Sequence, residues 1–499
     1  MNLYDRLTAV GASDAPFLEP QGGAPIRYGD LDAATARLAN ALQNAGVAPG
    51  DRVLVQTEKS ATALLLYLAA LRAGAIYLPL NTGYTHAEAA YFVEDAEPSL
   101  IICDPAAVGD FQSIAQGARI ETLDAMGEGS FTDLARTQPA AFDTVARSDD
   151  DLAAILYTSG TTGRSKGAML SHANLASNAA ALVQAWRFTA DDVLIHALPI
   201  FHVHGLFVAT HTVMLAGASM LFRPKFDPAD AVRLMDRATV MMGVPTYYTR
   251  LLDHPGLTRE AAGGMRLFVS GSAPLLAETH HAFLEHTGHA ILERYGMTET
   301  GMNTSNPYAG ERIPGTVGPP LPGVELRITD LDSGRPMPDG QIGVIEVRGP
   351  NVFQGYWRNP GKTAQEFRTD GFFITGDLGL IDERGYVSIV GRGKDLIISG
   401  GLNVYPKEVE TAIDALPGVV ESAVVGAPHP DFGEAVVAFV VPDDSHPDET
   451  TIRKALDGCL ARFKQPKRVF MLDTLPRNTM GKVQKAELRE RVKALFSEG

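Results

Sequence analysis

At 499 residues the chain exceeds what one ordinary core accommodates, so at least two domains are expected. Its hydrophobic content of 45% and charged content of 20% are those of a soluble globular protein. A formal net charge of −16 without any basic run excludes a nucleic-acid surface, which needs a local excess of Lys and Arg.

Cys103 and Cys459 stand far apart with no CxxC spacing, which excludes a disulfide framework and a zinc site and fits a reducing, cytoplasmic compartment. Residues 1–14 lack both the apolar core of a signal peptide and the Arg-rich character of a transit peptide. Residues 61–80 reach membrane-span length. Arg72, Gly74 and Pro79 make them read as a buried helix leading into a strand, and no membrane span is expected.

In chain order, short apolar runs at residues 52–56, 100–104, 153–157, 193–198, 218–222, 239–244, 266–270 and 290–293 predict strands. Amphipathic stretches at 31–46, 174–186 and 228–237 predict helices between them. That alternation implies an α/β fold with a large N-terminal domain of helix-covered, mostly parallel sheets. After Gly315 the character changes. Apolar segments at 324–329, 342–348 and 386–390, punctuated by Asp339-Gly340 and Asp370-Gly371, predict a small barrel-like β module.

A last unit reads as helix (407–415), strands (419–427 and 435–441) and helix (450–462), a small α+β C-terminal domain large enough to fold alone. The polar, glycine-flanked stretch Gly391-Arg392-Gly393-Lys394 places the boundary between domains 1–391 and 392–499.

The densest chemical signal is residues 157–167, YTSGTTGRSKG, directly after an apolar strand. Glycines let the backbone approach a ligand closely, hydroxyls and N–H groups cradle anionic oxygens, and Lys166 adds positive charge. It is not a Walker A loop, because Gly167 rather than Ser or Thr follows the lysine. The alternative is an ordinary Gly/Ser/Thr surface loop.

This loop resembles the phosphate-loop signature of the adenylate-forming enzymes: acyl-CoA synthetases, adenylation domains of peptide synthetases and firefly-type luciferases. Five further motifs follow collinearly: Tyr295-Gly-Met-Thr-Glu299, Thr375-Gly-Asp377, Gly391 to Asp395, Gly400 to Pro406, and Pro476 to Lys482. The resemblance implies an ATP-dependent acid–CoA ligase. Carboxylate and ATP give acyl-adenylate and pyrophosphate, and the thiol of coenzyme A then gives acyl-CoA and AMP.

It also implies roles. Thr158, Ser159, Gly160, Thr161, Thr162, Gly163 and Lys166 would hold the β- and γ-phosphates, and Glu299 the Mg²⁺ bridging them, with Thr298 on the α-phosphate. Gly271, Ser272, Ala273 and Pro274, with Tyr295, Gly296 and Met297, would form the adenine pocket. Asp377 would accept from the ribose hydroxyls, assisted by Arg392. Lys482 would bridge carboxylate and α-phosphate during adenylation, and its acetylation would stop that step. Lys394 would be the hinge of a mobile C-terminal domain. Gly400 and Gly401 would then line the path of the coenzyme A thiol.

The walls of the acid pocket would be residues 201–206, 243–250 and 293–302. Arg250, Arg294, His202 and His204 make these walls polar where a fatty-acid pocket should be apolar. A second substrate carboxylate is the natural partner of a buried arginine. Within the family this pattern resembles malonyl-CoA synthetases, which implies malonate, with methylmalonate tolerated.

Alternatives stay open. Arg250 also fits a solvent-facing position on an amphipathic helix. A straight strand would place Arg294 and Tyr295 on opposite faces. His202 reads as a pocket-wall or gating residue, and His204 as a substrate contact or a satisfied core histidine. A short-chain or aromatic acid, a luciferase-type oxygenase and a catalytically dead homologue share the nucleotide motifs. Oligomeric state is not legible.

Overall fold

The structure is a computed structural model describing residues 1–158, 165–443, 445, 447–457, 459–478 and 481–496. Contacts divide the chain into two compact units. One comprises Met1–Leu326 and Val347–Phe373, the other Arg327–Glu346 and Ile374–Gly499.

The first unit contains two sheets. In one, the strands run in the order Arg119–Thr122, Leu100–Cys103, Arg52–Gln56, Ile76–Pro79, Leu152–Thr158 and Lys166–Ser171. All neighbours are parallel except the last pair, an antiparallel ladder with Thr158 opposite Lys166. Strands Leu100–Cys103 and Ile76–Pro79 are buried along their whole length and Arg52–Gln56 everywhere but Arg52, which is why they read as apolar runs.

Residues 61–80 form the helix Ala61–Arg72 and the strand Ile76–Pro79. Buried Arg72 pairs with Asp32 at 2.7 Å and donates to the carbonyls of Asp32 and Phe142. Among the described residues no helix is long and apolar enough to cross a membrane.

The second sheet orders Gly301–Ser305, Leu292–Met297, Leu267–Ser270, Val240–Gly243, Val193–His196, Ser219–Phe222, Pro16–Pro20 and Ile26–Arg27. Its inner strands are parallel, and an antiparallel pair closes each end. Several motif residues lie at or just past the C-terminal ends of these parallel strands, where open α/β sheets bind ligands.

A four-stranded sheet follows, ordered Glu325–Thr329, Gly343–Arg348, Phe373–Ile381 and Val387–Arg392. The second unit also holds a five-stranded sheet built around the long antiparallel pair Val419–His429 and Gly433–Pro442. Helices Pro406–Asp414 and Glu449–Ala455 cover one face and Lys485–Val492 the other. The helix expected over 450–462 is shorter than its pattern. It ends at Ala455, and Asp457 then bridges Leu460.

Candidate active site

The hairpin carrying the glycine-rich loop is pinned from outside. Tyr157 donates its hydroxyl to Asp95 Oδ2 at 2.5 Å, and Tyr91 donates to the Ser165 carbonyl at 2.7 Å. Thr158 and Lys166 face each other where the ladder ends. Ser159, Gly160, Thr161, Thr162 and Gly163 lie outside the described residues. Lys166 Nζ sits 3.4 Å from Glu366 Oε1 and 4.2 Å over the Tyr356 ring.

Tyr295, Gly296 and Met297 end the strand Leu292–Met297, and Thr298 and Glu299 follow. Thr298 lines a small cavity with Asn178, Val203, Phe207 and Asn351. Glu299 is buried, and its Oε1 accepts from the Tyr356 hydroxyl at 3.1 Å. That hydroxyl is also 2.6 Å from Glu366 Oε2.

Gly271, Ser272, Ala273 and Pro274 follow the strand Leu267–Ser270. Ser272 takes a left-handed backbone, φ 71°, uncommon for a residue with a Cβ. Its Oγ lies 3.2 Å from His204 Nδ1. Gly271 packs so tightly on the Arg294 guanidinium that a methyl group there would collide with it.

Arg294 and Tyr295 are 4% and 8% exposed, so the two faces of this strand are both covered. Arg294 Nε and Nη2 are buried with no hydrogen-bond partner among the described residues. Burial pulls the guanidinium down to about 9, with the Tyr248 phenol opposing. His204 is fully buried as well. Burial, then the Arg294 charge, holds its pKa well below the ordinary imidazole value, so it is neutral. Ser272 Oγ and His204 Nδ1 share one hydrogen bond, and His204 Nε2 is buried with no partner among the described residues.

His204 opens a single π-helical turn, His204–Ala209, a geometry frequent at functional sites. His202 Nδ1 accepts from the His204 backbone N–H at 3.3 Å. Arg250, on the helix Pro245–Leu252, is exposed, with its guanidinium 5.1 Å over the Phe226 ring.

In the second unit, Asp377 and Arg392 face each other across an antiparallel pair, Arg392 Nε to Asp377 Oδ1 at 2.8 Å. The Thr375 hydroxyl donates to the Ile345 carbonyl and accepts from the Asp377 N–H, which fixes the Thr-Gly-Asp turn. Lys394 lies in the short turn Gly393–Asp395, and Asp395 pairs with Arg489.

Asn478 and Gly481 form the turn that presents Lys482: the Lys482 N–H donates to Asn478 Oδ1 and the Asn478 N–H donates to the Lys482 carbonyl, both at 3.0 Å. The residue as a whole is solvent-exposed. Desolvation of its ammonium, then the Arg392 charge, nonetheless pulls it down to about 8 against Asp377. Gly400 and Gly401 join the antiparallel strands Ile397–Ser399 and Leu402–Val404 with φ of 60° and 78°. A two-residue hairpin with two positive φ angles requires glycine-like residues on backbone grounds alone.

The chain matches the AMP-binding enzyme family over residues 7–357 and the AMP-binding enzyme C-terminal domain over residues 408–482. It belongs to the AMP-binding enzyme family. A feruloyl-CoA synthase from Amycolatopsis sp is 36% identical, over 94% of this chain and 94% of its own length. A malonate–CoA ligase from Arabidopsis thaliana is 35% identical, over 89% of this chain and 78% of its own length. The solved structure of ATP-bound MatB from Rhodopseudomonas palustris is 61% identical, with a TM-score of 0.97 and 99% of each chain covered. The protein is thus an acid–CoA ligase of the adenylate-forming type, using ATP and coenzyme A.

Sequence reasoning missed some of the ligase's polar contacts. Tyr356, Lys362 and Glu366 meet Lys166 and Glu299 from far along the chain, and nothing near the motifs announces them. Buried Lys59 donates to His196 Nδ1 at 3.0 Å and to the His196 carbonyl at 2.8 Å, while His196 Nε2 lies 2.9 Å from the Gly205 carbonyl. This pair braces the turn that carries His204.

Proposed function

We propose that this ligase activates malonate, with methylmalonate tolerated, to malonyl-adenylate and then to malonyl-CoA. The observation that carries this reading is Arg294. A buried guanidinium with two unpartnered nitrogens, beside a neutral imidazole whose Nε2 is also unpartnered among the described residues, is unfavourable unless an anion arrives. A substrate with a second carboxylate supplies one, bidentate to Arg294 and accepting from His204 Nε2. The similarity to MatB and to a malonate–CoA ligase supports the same acid.

Arg250 is assigned the outer side of this clamp. Its helix opens just past the strand end Gly243, whose carbonyl accepts from the Gly271 N–H at 3.3 Å. Being exposed, Arg250 contributes little per contact. Arg250→Ala should therefore raise the malonate KM about two- to fivefold with kcat nearly unchanged. Pyrophosphate release also compares malonate with octanoate, and a preference for octanoate would end the proposal.

The remaining roles follow the chemistry. A carboxylate oxygen attacks the α-phosphorus, pyrophosphate leaves, and like charges must be offset throughout. Thr158 and Lys166, with the loop between them, hold the β- and γ-phosphates, and Thr298 the α-phosphate. Glu299 as a single buried carboxylate suits Mg²⁺, which keeps one or two protein carboxylates and takes its other ligands from phosphate and water. When bound, that ion neutralises charge on the departing pyrophosphate. Residues 271–274 and Tyr295 wall the adenine, and Asp377 accepts from the ribose hydroxyls with Arg392 holding its carboxylate in place.

Lys482 bridges the attacking carboxylate and the α-phosphate. For thioester formation the coenzyme A sulfur attacks the acyl carbon, AMP leaves, and the thiol proton is released. We assign that step to the Gly400-Gly401 turn after a change of conformation at Lys394, within the proposed 392–499 domain. Buried Cys103 and exposed Cys459, both free thiols, fit a cytoplasmic setting.

A further inference from the structure

Glu366 is the hub of a charged cluster around Lys166. Its Oε1 lies 2.7 Å from Lys362 Nζ and 3.4 Å from Lys166 Nζ, and its Oε2 is 2.6 Å from the Tyr356 hydroxyl. The two lysines are held unequally. Lys362, on the same helix one turn earlier, makes the shorter contact, while Lys166 makes the long one and rests over the Tyr356 ring. Burial alone would raise the Glu366 carboxyl. The hydrogen bonds from Lys362 and Tyr356 and the Lys166 charge outweigh it and hold the pKa below the usual range, so Glu366 is anionic.

We propose that Glu366 is an exchangeable counter-anion for Lys166, surrendering the lysine's ammonium to the polyphosphate of ATP. The proposal rests on reading Lys166 as the phosphate-binding lysine. An ammonium already paired with a carboxylate must loosen that contact before it grips a phosphate, so Glu366 and ATP compete for one cation. The cluster makes the exchange cheap. When Lys166 leaves, Lys362 and Tyr356 still neutralise and solvate Glu366, so no carboxylate is stranded half-buried.

The same Tyr356 hydroxyl reaches Glu299 at 3.1 Å, and it has one hydrogen for two carboxylates. Glu366 is therefore a positioning residue, acting on ATP through Lys166 and Tyr356 rather than by touching it.

The test is calorimetric binding of ATP with Mg²⁺ and no acid present. Glu366→Gln keeps the shape and removes the competing charge, so ATP should bind about two- to fivefold tighter. Lys362→Gln leaves Glu366 more dependent on Lys166 and should shift affinity the other way. This second substitution is on a partly exposed side chain and keeps the test available if Glu366→Gln folds poorly. In a Lys166→Ala background both shifts should vanish. A merely structural Glu366 predicts weaker ATP binding and a lower melting temperature in Glu366→Gln, and that outcome overturns the inference. If Lys166→Ala itself leaves ATP affinity unchanged, the phosphate reading of Lys166 fails and the inference with it. If Lys166→Ala weakens binding while neither carboxamide variant shifts it, the inference alone fails.

Discussion

Replacing Lys482 with alanine should lower the rate of acid adenylation by about two to three orders of magnitude, the scale of losing one transition-state donor. The carboxylate must approach a triphosphate of its own sign, and Lys482 is the cation assigned to both groups at the point of attack. Acid-dependent exchange of pyrophosphate into ATP reads this step alone. Thioester formation from chemically supplied acyl-adenylate should survive in the same variant, because the proposed thiol attack assigns no role to this ammonium.

A pH signature belongs to the same prediction. Lys482 is pulled from the ordinary lysine value down to about 8. Its working form is the cation, present below that pH and lost as pH rises through it. The kcat/KM of adenylation should accordingly fall above about 8, and Lys482→Ala should lack that limb. Equal loss of both half-reactions in Lys482→Ala would contradict the assignment.

Arg294→Met should cut malonate kcat/KM by about thirtyfold to a thousandfold, the scale of removing one partner from a buried charged contact. Butyrate, which carries an ethyl group where malonate carries its second carboxylate, should not lose in parallel. The variant should also melt at a higher temperature than the parent. The parent buries a guanidinium whose Nε and Nη2 lack partners among the described residues, and methionine fills similar volume without that cost. Arg294→Lys should not rescue malonate, since an ammonium cannot reproduce the two parallel bonds of a guanidinium. A drop in melting temperature together with equal losses for both acids would make Arg294 a structural residue.

The fold was legible where one local rule dominated. Arg52–Gln56 is a buried parallel strand, and an unbroken apolar run can hardly be anything else at that length. Residues 61–80 separated into helix and strand because Arg72 and Gly74 interrupt the apolar run, with Gly74 in a left-handed conformation. Contacts that close over long distances were not legible. The second unit takes in Arg327–Glu346 and Ile374 onward, a grouping set by tertiary contacts that no change of composition marks.

The site shows the same contrast. Lys166, Glu299, Asp377 and Lys482, whose roles are proposed, drew notice because each sits in a spaced cluster of special residue types. Tyr356 and Glu366 did not stand out, since a tyrosine and a glutamate on a loop and a short helix look like ordinary surface residues until Glu299 is beside them. Gly400 and Gly401 carried a functional expectation, while the structure supplies a backbone reason for them first. Arg294 was undecidable from strand alternation, because both faces of its strand are buried.

The most direct test of the account is thioester formation by the purified protein with ATP, Mg²⁺ and coenzyme A, comparing malonate, methylmalonate, butyrate, octanoate and ferulate. The product is identified by mass. Malonyl-CoA should form with the highest kcat/KM, methylmalonyl-CoA should follow, and the three monocarboxylic acids should trail by at least about a hundredfold, the worth of an unpaired buried charge. Efficient turnover of butyrate, octanoate or ferulate with little or no malonyl-CoA would contradict it.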